Sequence, residues 1–570
     1  MLDWIEGIAQ PIADFVNNTL GPVASYLEHW VWKFPEKAPL LALILVGTGL
    51  FVTVRLAFIQ IRGFRHAVNI TRGKYDNPAD AGDLSHFQAL TTALSATVGI
   101  GNIAGVALAI RMGGPGALFW MWLTAFFGMA LKYVECTLAL MHRKVNPDGS
   151  VSGGPMYYIE MGLGKRWKWL AILFAAFAAI SSFGGGCMNQ SNTLAVQVES
   201  QWGIPTVISG LIFASLVAAV IIGGIKRIGR VTSILAPFMA VTYVAGALII
   251  LILNIDKIVP SLGLVVTQAF APDALVGGGT ASILITVMWG IRRGLFSNEA
   301  GQGSAPIAHA TAKTKEPVRE GLVASLGPFI DTLVICTMTG LVIVTTGVYK
   351  DKVEKVLPLS GVEMVMADQA QDSALLSLRE ERTSGSDREI TIIGGILRGA
   401  SVVNMDAIVE SARLVDGDGN SWSGRLSISA ADGSVDVSDG SAAPNVVGET
   451  LLTGVELTAL GFKNALGGFG GLLVTFAVIL FAVSTGISWS YYGDRSVEYL
   501  FGSGAIKIYR WIFIFFFFLG CILPLSAVWT FGDVALGLMT LPNLIAVLLL
   551  TGGVAVLTKD YLSREHKPYS

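Results

Sequence analysis

The stretch Ser95-Ala-Thr-Val-Gly99-Ile-Gly101-Asn102-Ile-Ala-Gly105 sets glycines and an asparagine in the middle of an otherwise apolar run long enough to cross a bilayer. Each glycine weakens a helix by roughly 1 kcal/mol relative to alanine, so the backbone can unwind here. An unwound turn at mid-membrane exposes carbonyls to a cation and N–H groups to a carboxylate, as in the broken helices of transporters. The same glycines could instead allow close helix packing, as small residues do in membranes. A second stretch of this kind, Met288-Trp289-Gly290-Ile291-Arg292-Arg293-Gly294-Leu-Phe-Ser297-Asn298-Glu299-Ala-Gly301, follows five spans later. Two candidate breaks at that offset fit an inverted repeat of five helices plus five, and an odd repeat length inverts the topology as such a repeat requires.

Outward from these two stretches the chain stays apolar. Of its 570 residues 53% are hydrophobic and 14% charged, which excludes an ordinary soluble globule. Lipid leaves backbone groups no outside partner, so the spans are helices. They are predicted at 38–59, 86–110, 116–141, 168–195, 205–223, 232–253, 280–298, 320–347, 466–491, 509–530 and 533–557. The expected class is an all-α polytopic membrane protein of about eleven transmembrane helices, with spans two to six and seven to eleven forming the repeats and the first span an addition. The basic clusters Arg62, Arg65, Arg72 and Lys74; Arg143, Lys144, Lys165 and Arg166; Lys226, Arg227 and Arg230; Lys313, Lys315 and Arg319; and Lys507 and Arg510 all fall on one side when the spans alternate. By the positive-inside rule that side is the cytoplasm of a bacterial inner membrane, with the N-terminus outside and the C-terminus inside. Net charge is −2 and no basic stripe is present, so nothing points to nucleic acid. Cys136, Cys187, Cys336 and Cys521 fall inside apolar spans at no metal-ligand spacing and read as packing residues.

Four regions are expected. Residues 1–34 carry Asp3, Glu6 and Asp14 but no early Lys or Arg, so they lack the n-region of a signal peptide and read as retained. Trp4, Ile5, Ile8, Ile12 and Phe15 at helical spacing, followed by Trp30 and Trp32, suggest a helix lying in the membrane interface. Residues 35–347 hold spans one to eight, and 463–570 hold spans nine to eleven and a cytoplasmic tail. Between them, 348–462 is a polar extracytoplasmic insertion. Its alternating stretches Glu389-Ile-Thr-Ile-Ile and Arg425-Leu-Ser-Ile-Ser, with turns at Asp418-Gly-Asn and Asp432-Gly, suggest a small β-rich domain, with disorder as the alternative. Asp416 and Asp418 read as a turn rather than a calcium loop.

Polar residues within the spans supply the remaining candidates. Arg292 and Arg293 would each cost at least roughly 2.5 kcal/mol facing lipid, so they should face the bundle in structural or gating roles, with Glu299 as the natural partner. Lys132 and Glu135 read as a snorkelling or paired set. Ser181-Ser-Phe-Gly-Gly-Gly-Cys-Met-Asn189-Gln190-Ser-Asn192 in the fourth span is too polar for a lipid face. In the ninth span, Ser484-Thr485-Gly-Ile-Ser488-Trp489 places Thr485 and Trp489 four apart on one face.

The blocks Ala93-Leu-Ser-Ala-Thr-Val-Gly-Ile-Gly-Asn-Ile-Ala-Gly, Gly113-Gly-Pro-Gly-Ala-Leu-Phe-Trp-Met-Trp, Gly153-Gly-Pro-Met-Tyr-Tyr-Ile, Gly294-Leu-Phe-Ser-Asn-Glu-Ala-Gly-Gln-Gly-Ser and Trp489-Ser-Tyr-Tyr-Gly, in that order, resemble the alanine or glycine:cation symporters, also called sodium:alanine symporters. The resemblance runs along nearly all of the membrane part and departs from the family pattern at Cys187 and Asn189 and in the length of 348–462. It implies a LeuT-type five-plus-five fold and import of a small neutral amino acid, alanine or glycine, with sodium as coupling ion and no other cofactor. The expected substrate residues are Gly99, Gly101 and Asn102 at the first break, with the carboxylate on the N–H groups of a half-helix start, and Gln190, Gly290, Ile291 and Trp489 around the side chain. The expected sodium ligands are Thr97, Asn102, Ser484 and Thr485, because the ninth span is the core helix that faces the first one in LeuT-type transporters. Proton coupling or another amino acid is the alternative within this fold. A channel would need a continuous polar pore, a sensor lacks a cytoplasmic signalling domain here, and six scattered histidines offer no catalytic site.

Overall fold

In lipid a helix satisfies its own backbone, and the apolar runs of this chain take that solution. The computed structural model describes residues 21–35, 39–146, 150–271, 280–367, 386–404, 407–430, 433–523, 525–566 and 568. Among them, seven helices are long and apolar enough to cross a membrane: Ala117–Met141, Lys165–Trp202, Gly224–Leu253, Pro317–Thr346, Gly468–Phe501, Ser503–Ile522 and Thr530–Ser563. An eighth is the pair His86–Thr97 and Ile100–Gly113, which meet at 63°. The protein is therefore a mostly helical multi-pass membrane protein. The shorter apolar helices Leu40–Arg55 and Thr206–Ile221, and the helix Thr280–Asn298, occupy the remaining predicted spans.

Several boundaries differ from the sequence reading, each for a local reason. The first break falls where the glycines predict it: Thr97 ends one helix, Gly99 is extended, and a single 3-10 turn over Ile100–Asn102 starts the next. The second falls at the far end of its stretch. Thr280–Asn298 is helical straight through Gly290 and Ile291, and the chain leaves the helix only at Glu299, whose φ of 54° is left-handed. Gly290 is a contact glycine instead, since a Cβ there would lie 2.5 Å from the Ala117 carbonyl oxygen. The loop expected from Asn254 contains the helix Ile255–Phe270, which buries Ser261, Val265, Gln268 and Ala269. The polar insertion ends earlier than its composition suggests, because Gly454–Leu466 is already helical.

Within the insertion the two predicted strands form and pair. Arg388–Ile392 lies antiparallel to Gly424–Ile428, with Ile390 opposite Leu426. Lys352–Pro358, Asn445–Leu451 and Glu410–Val415 form a second antiparallel sheet, and Leu357, Leu414, Trp422, Leu426 and Val446 share its apolar core. Asp416 Oδ1 accepts from the N–H groups of Asp418 and Asn420, as a turn requires, while the predicted turn at Asp432 lies outside the described residues.

The interfacial helix expected near Trp4 also lies outside the described residues. The first described residues, the helix Gly21–Glu28 and the wide turn His29–Lys33, pack against the final helix Leu525–Ser563, where buried Trp32 donates to the Asp533 carbonyl at 2.7 Å.

Lys352 and Leu451 are directly opposed in the sheet, so the two chain ends that enter the β-region lie side by side. Replacing 352–451 with a four-residue Gly-Ser bridge should therefore leave the helical part folded, since closing so short a gap costs little loop entropy. The check is the melting temperature of the purified variant, expected within about 4 °C of the parent, a shift that corresponds to no more than roughly 1–2 kcal/mol.

Candidate substrate and ion site

At the break in the second span, backbone groups that a helix would satisfy need other partners. Asn102 turns its side chain back so that Oδ1 accepts from Gly99 N–H at 2.9 Å. Gln190 Oε1 accepts from Ile100 N–H at 3.2 Å, and its Nε2 donates to Gly185 O at 3.0 Å. Thr339 donates to Asn102 O at 2.8 Å and Thr458 to Ile103 O at 3.1 Å. The break is thus stitched by three other helices.

Around this turn is a tight cavity lined by Thr97, Gly99, Gly101, Gly185, Gln190, Phe296, Glu299, Trp489 and Leu536. Its free volume is about 10 Å³, room for at most a single water. Admission of anything larger requires the ring of Trp489 or Phe296 to move. Of the seven predicted substrate residues, Gly99, Gly101, Gln190 and Trp489 meet at this cavity. Asn102 stands behind it as the brace of the turn, while Gly290 and Ile291 do not line it and sit in helix packing.

The close fit of Trp489 has a cause in the fourth span. Gly184–Met188 is a π-helical turn, and its glycines let the indole lie directly on the backbone: a methyl at Gly186 would sit 2.2 Å from the Trp489 ring. The indole N–H donates to Glu299 Oε1 at 3.0 Å, and Ser304 donates to Glu299 Oε2 at 2.5 Å. Glu299 is therefore a wall of the cavity and the anchor of its aromatic lid. It is not the partner of the arginines, as the sequence reading has it. Those are held elsewhere: Asp533 Oδ2 lies 2.5 Å from Arg292 Nη2 and 2.9 Å from Arg293 Nη2, and Glu28 Oε1 lies 2.7 Å from Arg292.

The predicted sodium ligands divide between two places. Ser484 and Thr485 do not bond back to their own helix. Both donate to the carbonyl of Ser95, at 3.3 and 3.1 Å, and Ser484 also bonds the Ser95 hydroxyl. Four oxygens from two helices converge there. Thr97 is not among them, because its hydroxyl faces Ala93 O and Leu94 O at 3.3 and 3.4 Å. Asn102 belongs to a second polar cluster. Its Nδ2 donates to Asp331 Oδ1 at 2.6 Å, while Ser297 and Thr332 donate to Asp331 Oδ2 at 2.5 and 2.8 Å. Asp331 is fully buried, and all three of these donors are neutral.

Lys132 and Glu135 do not snorkel. Both are buried, and Glu135 Oε1 accepts from Gly303 N–H at 3.1 Å and from Asn543. The Lys132 ammonium acts electrostatically on Glu135, Glu299 and Asp331 together, so one buried cation serves three buried carboxylates. All four cysteines are buried and free, in keeping with packing roles, although Cys336 also lies 3.1 Å from Ser297 Oγ.

The sequence reading missed Phe296, Leu536, Asp331 and Asp533. The two aspartates carried a usable signal, since an acid inside an apolar span marks a functional site or a buried pair. Phe296 and Leu536 carried none, because apolar residues in membrane helices are ordinary.

A broken helix with a polar cavity and oxygen clusters around it is the arrangement transporters use at their substrate and ion sites. The comparisons agree. The model of the sodium:alanine symporter family matches residues 17–375 and 438–569, leaving out 376–437 in the middle of the β-region. The sodium/alanine symporter AgcS of Methanococcus maripaludis is 39% identical over 550 residues, covering 96% of this chain and 97% of its own. An uncharacterized transporter of Haemophilus influenzae is 36% identical over 549 residues, with 96% and 97% covered. The probable sodium/glutamine symporter GlnT of Bacillus subtilis is 31% identical over 526 residues, with 92% and 87% covered. The chain belongs to the sodium:alanine symporter family and is a transporter of amino acids.

Gly186→Ala should displace the Trp489 side chain, which supplies the three atoms nearest to the added methyl. Overpacking of this kind costs about 1–3 kcal/mol. Amino-acid binding by the purified variant, read by scintillation proximity, should weaken by about tenfold or more, with the elution profile of the folded protein retained.

Proposed function

We propose that the protein imports alanine or glycine together with sodium by alternating access around the cavity at the broken second span, within a five-plus-five repeat of LeuT type preceded by one extra helix. The observation that carries this reading is the meeting of Gly99, Gly101, Gln190 and Trp489 at one small cavity beside the Ser95, Ser484 and Thr485 oxygens. The curated relative AgcS bears the name of a sodium/alanine symporter and the family that of sodium:alanine symport, which favours this pair of solutes. The basic clusters favour an inner-membrane orientation with the N-terminus and the β-region outside and the C-terminus in the cytoplasm.

In this reading the substrate carboxylate takes the N–H groups of the turn. Ile100 N–H is at present held by Gln190 Oε1, so the carboxylate displaces the amide oxygen and Gln190 turns to donate. The ammonium group faces the Glu299 carboxylate, the anion in the wall. Trp489, held by Glu299, limits the side chain to a hydrogen or a methyl. Glutamine, in the name of the relative GlnT, is bulkier, and pocket size is what would separate the two.

Sodium needs several hard oxygen ligands, and the Ser95 carbonyl with the Ser484 and Thr485 hydroxyls supplies them across the two helices that must separate on opening. The carbonyls that follow Thr97 complete the shell. Asn102 and Asp331 are the proposed seat of a second ion beside the carboxylate, which would neutralise that buried acid. Ions bridging two elements in one conformation and released from the other would couple their own flow to that of the substrate.

The direct test is uptake of a panel of labelled amino acids into proteoliposomes with and without an inward sodium gradient. Saturable, sodium-driven alanine or glycine uptake with countertransport is expected, and flux without saturation would indicate a channel. Thr485→Val removes one hydroxyl ligand at nearly constant shape, and a charge-bearing contact of about 1.5–3 kcal/mol predicts a rise of about tenfold or more in the sodium concentration for half-maximal uptake. If Ser484→Ala and Thr485→Val both leave sodium dependence untouched, the ion binds elsewhere. Trp489→Ala should weaken alanine binding while admitting larger side chains, and an unchanged selectivity across the panel would remove Trp489 from the site.

A further inference from the structure

Away from the transport site is a larger cavity of about 340 Å³. It lies between His86–Thr97, Gly224–Leu253, Pro317–Pro328 and the short helix Phe64–Thr71. Its concavity is made by Ala236 and Ala240, one turn apart on the same helix face with Pro237 beside them, opposite Leu90 and Leu94. The wall is apolar almost throughout. Its two threonine hydroxyls are already spent on their own helices, Thr71 on Ala67 O at 2.9 Å and Thr91 on Phe87 O at 2.9 Å. The lining holds no acid for the ammonium group of a zwitterionic amino acid, so the cavity is not part of the substrate route.

Two observations identify the occupant. Phe87, one of the lining side chains, is 41% exposed in an apolar span, a surface that lipid covers. The cavity therefore opens beside the hydrocarbon of the bilayer. The single charged residue in its lining is the exposed Arg72. Arg62, Arg65 and Lys74, also exposed, lie on the same short segment and make its rim positive.

The geometry points to a binding site for one anionic phospholipid, with an acyl chain lying against Leu90, Leu94 and Ala240 and the phosphate paired with Arg72. The inference rests on the membrane character of the chain and is independent of which solute is carried. The bound chain runs along the first half of the broken helix and ends at Val98, where the break begins. A lipid there restrains the half-helix whose movement would open the transport site, so anionic lipid content becomes a regulator of the transporter.

The test uses the full chain in phosphatidylcholine nanodiscs containing phosphatidylglycerol with a photoactivatable acyl chain. Illumination should place the adduct on peptides covering 87–98 or 236–240. Unlabelled phosphatidylglycerol should compete it away and unlabelled phosphatidylcholine should not. A basic residue near the surface is worth about 1 kcal/mol toward an anionic headgroup, so Arg72→Gln should lower the adduct by about fivefold. Ala240→Trp, which fills the cavity, should abolish it at these peptides. If Ala240→Trp proves unstable, Ala236→Leu gives the same reading. Adducts elsewhere on the chain, or adducts insensitive to the filling substitution, overturn the site. Equal competition by phosphatidylcholine, with no effect of Arg72→Gln, would show a neutral lipid and overturn the anionic assignment.

Discussion

A helix that breaks inside lipid must hand its unpaired N–H and C=O groups to other parts of the protein, because each one left unmade costs several kcal/mol. That constraint organises the molecule. At the turn from Val98 to Ile103 the amide of Gly99 goes to Asn102, that of Ile100 to Gln190, the carbonyl of Asn102 to Thr339 and that of Ile103 to Thr458. The Ser95 carbonyl, one turn before the break, goes to Ser484 and Thr485. Apart from Asn102, which lies in the turn itself, these partners come from four other helices, so the break can persist only where the fourth, eighth and ninth predicted spans and the Gly454–Leu466 helix already surround it. The helices that stitch the break are also the ones that any ligand at the break must touch.

Buried charge is handled by the same logic of compensation. Arg292 and Arg293 share one carboxylate, Asp533, and Arg292 adds Glu28 from the N-terminal segment, which ties Gly21–Glu28 to the helical body. Glu320 takes His309 at 2.5 Å and His86 as well, tying the start of the broken helix to the eighth predicted span. Asp494 is closed by Arg510 at 2.5 Å. Against these paired sets, Lys132 with Glu135, Glu299 and Asp331 has more acid than base. Removing one partner of a buried pair is expensive.

Much of the fold was legible because its strongest signals are local. The span positions follow from apolar length, the break at Gly99 from glycines in an apolar run, and the strands at Arg388–Ile392 and Gly424–Ile428 from alternation. What was misread depends on contacts between distant segments. Gly290 looks like Gly99 in sequence, yet it meets the Ala117 carbonyl and serves close packing, whereas the chain leaves its helix at Glu299, a residue with no intrinsic preference for φ of 54°. Glu299 sits near two arginines along the chain, but helical geometry points it toward Trp489, and the acid that meets the arginines lies some 240 positions away. The helix Ile255–Phe270 lies between the predicted spans 232–253 and 280–298, in a segment too short in apolar run to read as a span of its own.

The site itself was half legible for the same reason. Thr485 and Trp489 were placed on one face by their spacing, and the structure puts both near the break, one against Ser95 and the other in the cavity wall. Thr97 failed because a threonine at the end of a helix has a nearer acceptor than any ion, namely the carbonyls of Ala93 and Leu94. The Asn102 oxygen accepts from Gly99, which leaves its amide to hold Asp331. The result is a chain of contacts from the turn through Asn102 to Asp331, and separately from the turn through Ser95 to Thr485. A ligand that pulls the turn toward itself must therefore strain or relax both polar clusters at once.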